Sequence, residues 1–145
     1  MKLLIQRVLS AGVSVYGEPV ATIEKGMLVL VGLEKHDTIA QCARAAEKLT
    51  KYRLFSDKNG HMNLSVRDIE GEILLVSQFT LAADTKKGLR PSFSSAMPPA
   101  EAQALFNQFV EQVKAIGLSV KTGQFGADMQ VRLVNDGPVT FLLEI

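Results

Sequence analysis

An α+β fold is predicted for these 145 residues: a largely antiparallel or mixed sheet, able to curl into a barrel, with two main helices. Three observations predict it. Short β-branched apolar runs and alternating segments come in groups, and two stretches of helical period interrupt them, in the order strands, helix, strands, helix, strands. Hydrophobic residues make up 47% and charged residues 21%, enough apolar matter for a sizeable core. No linker, repeat or low-complexity tract divides residues 1–145, so one domain is expected.

The elements follow in chain order. Leu3 to Val15 alternates loosely and reads as a strand with an irregularity near Ser10-Ala11-Gly12. Gly17-Glu18-Pro19 signals a turn, after which Val20 to Ile23 returns as a strand. Met27 to Leu33 is a continuous apolar run, the mark of a buried strand. Asp37 is placed to cap a helix through its carboxylate. Ile39, Cys42, Ala43, Ala46, Leu49 and Leu54 then give that helix an apolar face, opposite Arg44, Glu47, Lys48 and Lys51. Asn59-Gly60 signals a hairpin and Glu70-Gly71 a turn. Ile73 to Leu81 reads as a buried strand with a polar end. A loop rich in Lys, Gly, Ser and Pro spans Ala82 to Met97. Pro98-Pro99 suits a helix start, and Leu105, Phe106, Phe109, Val110, Val113 and Ile116 form that helix's stripe before Gly117. Two last strands, Met129 to Val134 and Val139 to Ile145, are joined by Asn135-Asp136-Gly137-Pro138.

Composition narrows the function. The net charge of +1 is not that of a protein that coats nucleic acid, so any RNA contact must be a local cluster of cations. No apolar run is long enough to span a bilayer, and the start is charged too soon for a secretory signal, so a soluble cytoplasmic protein is expected. The single cysteine, Cys42, lies on the apolar face of the first helix and reads as core. His36 and His61 sit among charged or turn residues, without the spacing partner that a metal site needs. No metal or cofactor site is expected. No phosphate loop, dinucleotide fingerprint or side-chain triad can be assembled.

Two segments carry chemistry more readily. Ser77-Gln78-Phe79-Thr80 packs polar groups at the end of an apolar strand, where each needs a partner; bonding to local backbone is the plainer explanation. Asn135 to Thr140 reads first as a hairpin turn, but Gly137-Pro138 can also hold a cis bond and present bare backbone to a ligand.

Taken together, short motifs spread along the chain resemble the D-aminoacyl-tRNA deacylase family. They are Gln6-Arg7-Val8, Tyr52-Arg53-Leu54-Phe55-Ser56-Asp57, Met62-Asn63-Leu64, Ser77-Gln78-Phe79-Thr80-Leu81, the stretch from Asp84 to Arg90-Pro91-Ser92-Phe93-Ser94, and Asn135-Asp136-Gly137-Pro138-Val139-Thr140. Six motifs in order and at the right spacing make the resemblance specific. It implies a homodimeric, barrel-like hydrolase of the ester between a D-amino acid and tRNA. It further implies that Ser77, Gln78, Phe79 and Thr80 line the pocket for the aminoacyl-adenosine end. Gly137 and Pro138 would reach into the partner subunit's pocket and select chirality, with Arg7 fixing their orientation. Leu81, Phe125 and Met129 would be pocket-wall positions.

The implied mechanism suits a chain without a triad. An aminoacyl ester is already labile, so positioning and main-chain N–H groups at Phe79 or Thr80 have little barrier left to lower. The neighbouring ribose 2′-hydroxyl helps activate water in this scheme; Thr80 as nucleophile ranks second, because no base lies near it in sequence. Chirality is decided by refusing the L side chain, so glycine should be accepted alongside many D-amino acids. Lys86, Lys87 and Arg90 are the expected tRNA contacts. Two other readings stay open: a different acyl or thioester hydrolase, and a non-catalytic tRNA-binding dimer.

Overall fold

The computed structural model describes residues 1–86 and 88–145. A six-stranded mixed sheet curls into a nearly closed barrel, and two helices pack on it. Its axis is one long strand, β1 (Lys2–Val15). One edge of β1 carries β3 (Gly26–Gly32) against its first half and β2 (Glu18–Ile23) against its second, both antiparallel. Its other edge carries β8 (Gln130–Glu144), antiparallel along nearly the whole length. Beyond β3 the sheet turns parallel, through β6 (Glu72–Ser77) to β7 (Val120–Thr122). A small hairpin, β4 (Phe55–Ser56) with β5 (Met62–Leu64), stands apart where Asn59-Gly60 announces it.

The two faces of the sheet have different cores. Phe109, Leu49, Leu3, Ile5 and Met27 are fully buried between the sheet and helices α1 (Ile39–Lys51) and α2 (Pro99–Lys114). Inside the curl, Val8, Val13, Ile23, Leu28, Leu74 and Val76 form a second cluster. A strand buried on both faces has no polar side to spare, which explains the unbroken apolar runs of β3 and β6.

Several expectations need correction. Thr38, not Asp37, caps α1: its hydroxyl accepts the Gln41 N–H, and the Gln41 side chain accepts from the Thr38 N–H, a reciprocal box. The Asp37 carboxylate instead accepts from the Met1 amino group at 2.6 Å and from the Glu34 N–H at 2.7 Å. The helix buries Ala45 while Ala43 faces out, and Ile39 is exposed. The strand expected from Ile73 to Leu81 ends at Ser77, and Phe79–Ala82 forms a 3-10 turn. The irregularity expected at Ser10 to Gly12 falls earlier, around Arg7 to Leu9, where the β1–β8 register shifts. The short strand β7 carries no pattern long enough to have been expected.

The largest correction concerns the last two strands, which are one. Both halves of β8 pair with the same partner, β1, so Asn135 to Pro138 is not a hairpin turn. From Gln6 to Val8, two steps along β1, the opposite strand moves five, from Thr140 to Asn135. Three residues of β8 are therefore surplus and leave the ladder as a bulge.

Cys42 is core, as expected: it is fully buried, and burial, helped by the nearby Asp37 carboxylate, pushes its thiol up to about 11. None of the helices among the described residues is long and apolar enough to cross a membrane.

Side chains fasten the open side of the curl. Glu72 at the start of β6 accepts the Glu24 N–H at 2.6 Å and the Ser119 hydroxyl at 3.2 Å. Lys121 on β7 donates to the Thr22 carbonyl and lies 3.5 Å from the Glu72 carboxylate. The Glu24 N–H, then Ser119 and Lys121, hold the Glu72 carboxyl below its ordinary range. A depressed carboxyl stabilises the fold above its unfolded pKa, and that contribution is lost as pH falls through the folded value. Replacing Glu72 with Gln should therefore lower stability by about 0.5–1 kcal/mol at neutral pH, solvent screening allowed for. The gap between wild type and variant in thermal melts should close in acid. A gap unchanged down to the acid limit would show that Glu72 is not the latch.

Candidate active site

Because β3 and β6 run parallel, their C-terminal ends finish side by side. Clefts form beyond such ends, where the peptide ladder stops. Here a cavity of about 730 Å³ opens there. Val31, Leu33, Val76 and Ser77 from the strand ends line it, with Phe125, Met129 and Val131 from the segment entering β8. Met97, Pro98 and Pro99, at the start of α2, also border it. Phe79 and Phe93 line it as a tilted aromatic pair with ring centroids 5.0 Å apart. Phe79 is 60% exposed, so this pair offers apolar surface to an incoming ligand.

A sharp change of direction positions the polar edge. Gln78 extends the parallel ladder by one bond, its N–H donating to the Val31 carbonyl at 2.8 Å. The chain then winds into the 3-10 turn, which lies directly over Gly32. A Cβ on Gly32 would stand 2.7 Å from the Leu81 Cβ and 3.3 Å from the Gln78 carbonyl oxygen, so glycine sets how low the turn can sit. The first N–H groups of a helical turn have no partner within it. Those of Phe79 and Thr80 donate to no acceptor among the described residues. The Thr80 hydroxyl accepts from the Gln78 side-chain amide, which is not a base.

The second motif lies elsewhere on the chain. The surplus residues of β8 expose Gly137 and Pro138, and neither lines the cavity of its own chain. The bond between them is cis. Arg7, opposite the bulge, donates through Nε to the Asp136 carbonyl and through Nη1 to the Leu54 carbonyl, each at 2.8 Å. Gly137 has φ +143°, and a Cβ there would meet Val139 Cγ2 at 2.7 Å. Neither Gly137 nor Pro138 has a partner in the β1–β8 register, and no side chain among the described residues donates to their carbonyls.

Of the residues singled out by sequence, Ser77, Gln78, Phe79, Phe125 and Met129 therefore meet around one cavity. Thr80 follows in the turn and is exposed. Leu81 points its Cβ at Gly32 and does not line the cavity. Lys86 and Arg90 are exposed in the loop that follows, and Lys87 lies outside the described residues. Sequence reasoning missed Phe93, Met97 and the lining role of Pro98-Pro99. Two large apolar residues inside an otherwise polar loop were the available signal.

A helix-flanked, nearly closed mixed barrel is also the fold of a protein described as a probable eukaryotic D-amino acid tRNA deacylase. The two superpose with TM-score 0.87 at 18% identity, over 99% of this chain and 98% of the other. The family model described as D-Tyr-tRNA(Tyr) deacylase matches residues 4–144, and the chain belongs to that family. D-aminoacyl-tRNA deacylase of Ectopseudomonas mendocina (strain ymp) is 61% identical over 145 residues, all of both chains. That of Marinomonas sp. (strain MWYL1) is 59% identical over 144 residues, 99% of this chain and all of the other. A solved structure described as c-Myc DNA Unwinding Element Binding Protein superposes with TM-score 0.95 at 43% identity, covering 100% of this chain and 99% of that one.

The role of Gly32 can be checked without substrate. Gly32→Ala should cost about 1–3 kcal/mol as an overpacked site. It should also shift the backbone amide resonances of Phe79 and Thr80 while leaving those of β2 in place. Unmoved Phe79 and Thr80 signals would show that the turn does not rest on Gly32.

Proposed function

We propose that this chain is a D-aminoacyl-tRNA deacylase, hydrolysing the ester between a D-amino acid and the terminal ribose of tRNA through main-chain groups of two subunits. Family membership over residues 4–144, with relatives at 61% and 59% identity that bear this name, carries the proposal. The geometry agrees with it in three places.

First, the cavity is apolar apart from the Ser77-Gln78 edge, and the N–H groups of Phe79 and Thr80 stand uncommitted beside it. Water adds to the ester carbonyl carbon, and those two N–H groups hold the oxyanion that forms. The carbon–oxygen bond to the ribose then breaks, the departing oxygen takes a proton, and free amino acid and tRNA leave. The ribose 2′-hydroxyl assists the attacking water. Thr80 acts through its backbone, since an amide is its hydroxyl's partner.

Second, the bulge supplies the chiral filter. The Gly137 and Pro138 carbonyls belong to exposed residues that stand outside the β1–β8 register. Inserted into the cavity of a second copy, they would accept hydrogen bonds from the substrate ammonium and leave no room for an L side chain. The chain functions as a homodimer in this reading. Half-exposed Val134 and Leu142 on β8 offer apolar surface for the contact. Arg7 holds the bulge from beneath.

Third, Lys86 and Arg90 lie exposed in the loop after the 3-10 turn, where tRNA phosphates would pass. With a net charge of +1, a few local cations suit a tRNA end better than a long duplex. In this reading the protein meets its charged tRNA in the cytoplasm.

Matched D- and L-tyrosyl-tRNA and glycyl-tRNA test this reading. The D ester and the glycyl ester should be cleaved and the L ester left intact. An inert glycyl-tRNA beside a cleaved D-tyrosyl-tRNA would end the account by exclusion, because glycine has no side chain to refuse. Thr80→Val separates the two catalytic schemes. With the backbone donor kept and the hydroxyl gone, the single-turnover rate should stay within about fivefold of wild type. A loss of about a thousandfold would make Thr80 the nucleophile.

A further inference from the structure

Three surplus residues in β8 would not by themselves hold one shape. A bulge exposes peptide groups that the ladder no longer pairs, and without replacements it samples many conformations. Arg7 fixes only the entry, at the Asp136 carbonyl. The exit is fixed by a different side chain, that of Asn135. Its Oδ1 accepts the Val139 N–H at 2.7 Å, and its Nδ2 donates to the Val139 carbonyl at 3.3 Å. The primary amide thus takes both peptide groups of Val139, as the facing strand would in an unbroken antiparallel pair. Nδ2 also donates to the Thr140 hydroxyl at 3.1 Å, and Gln6 on β1 reaches the same hydroxyl at 3.5 Å. Val139 itself is buried, which anchors the far end of the bulge in the core.

We infer that Asn135 is the positioning residue for chiral selection: its side chain closes the bulge and so fixes where the Gly137 and Pro138 carbonyls stand. Asn135 touches no substrate in this arrangement. It acts by leaving those two carbonyls free of side-chain donors, while the neighbouring ones, at Asp136 and Val139, are already engaged. An apolar residue at 135 could satisfy neither of the two Val139 groups. A carboxylate keeps the acceptor for the Val139 N–H but loses the amide donors and faces the Val139 carbonyl with a negative charge. The inference rests on the reading that Gly137 and Pro138 exclude L substrates.

The test compares kcat/KM on D- and L-tyrosyl-tRNA for wild type, Asn135→Ala, Asn135→Asp and Gly137→Ala, all as full chains. In both Asn135 variants the ratio of D to L rates should fall by roughly tenfold or more, with KM for the D ester rising, Asp less severely than Ala. A loss of stability alone would scale both rates together and leave the ratio unchanged. Gly137→Ala reports on the underlying reading, since strain at φ +143° and contact with Val139 deform the bulge directly. If Gly137→Ala loses discrimination and neither Asn135 variant does, Asn135 has no positioning role and the chiral reading survives. If all three keep wild-type discrimination, the chiral reading falls and takes this inference with it. Should Asn135→Ala fail to fold, Asn135→Asp decides alone, and a wild-type ratio there overturns the inference.

Discussion

The whole arrangement depends on the pairing of β8 with β1. Two strands of nearly equal length run antiparallel from end to end, and the partner on each side of the break is the same strand. Three residues of β8 leave the ladder between Thr140 and Asn135, and one of β1, Leu9, leaves it between Val8 and Ser10, so the two halves differ in register by an even two residues and buried Val139 and Leu143 keep their face. The β8 surplus leaves the sheet at one place. That place faces Arg7, the one position on β1 where a side chain long enough to reach the displaced backbone is mostly buried. Strand register thus fixes the location of the motif before any of its own chemistry is considered.

A similar economy governs the cavity. The parallel pair β3–β6 ends at Val31 and Ser77, and a residue without a side chain, Gly32, lets the next turn fold back across the strand end. Main-chain N–H groups are left facing outward beside an apolar hollow. None of the residues lining that hollow has a displaced pKa. Cys42, Glu47, Asp68 and Glu72, the groups whose titration is displaced, belong to the core, the surface or the barrel latch. A site of this kind leaves few of the marks by which catalytic centres are usually found.

That explains what the sequence made legible. Periodicity revealed both helices and the apolar strands, because burial on one or both faces writes itself directly into residue order. Pairing partners are not written there. Asn135 to Pro138 has every local property of a tight turn, and only the shared partner β1 shows that it is a bulge. Asp37 has the chemistry of a helix cap, but the Met1 amino group, distant in sequence, claims its carboxylate and Thr38 takes the cap. Ser77 and Gln78 stood out because polar groups at an apolar strand end need an explanation. Phe93 and Met97 did not, since an apolar residue in a loop gains meaning only from what it is folded against. The resemblance supplied roles for Arg7, Gly137 and Pro138 that no local pattern could.

One consequence reaches beyond the site. The sole thiol is sealed between the first helix and the Leu105 carbonyl, protonated far above any physiological pH. Peroxide, glutathione and air find no thiol to attack while the protein is folded. While the fold holds, no disulfide can weld one copy of the chain to another, whatever the redox state of the surroundings.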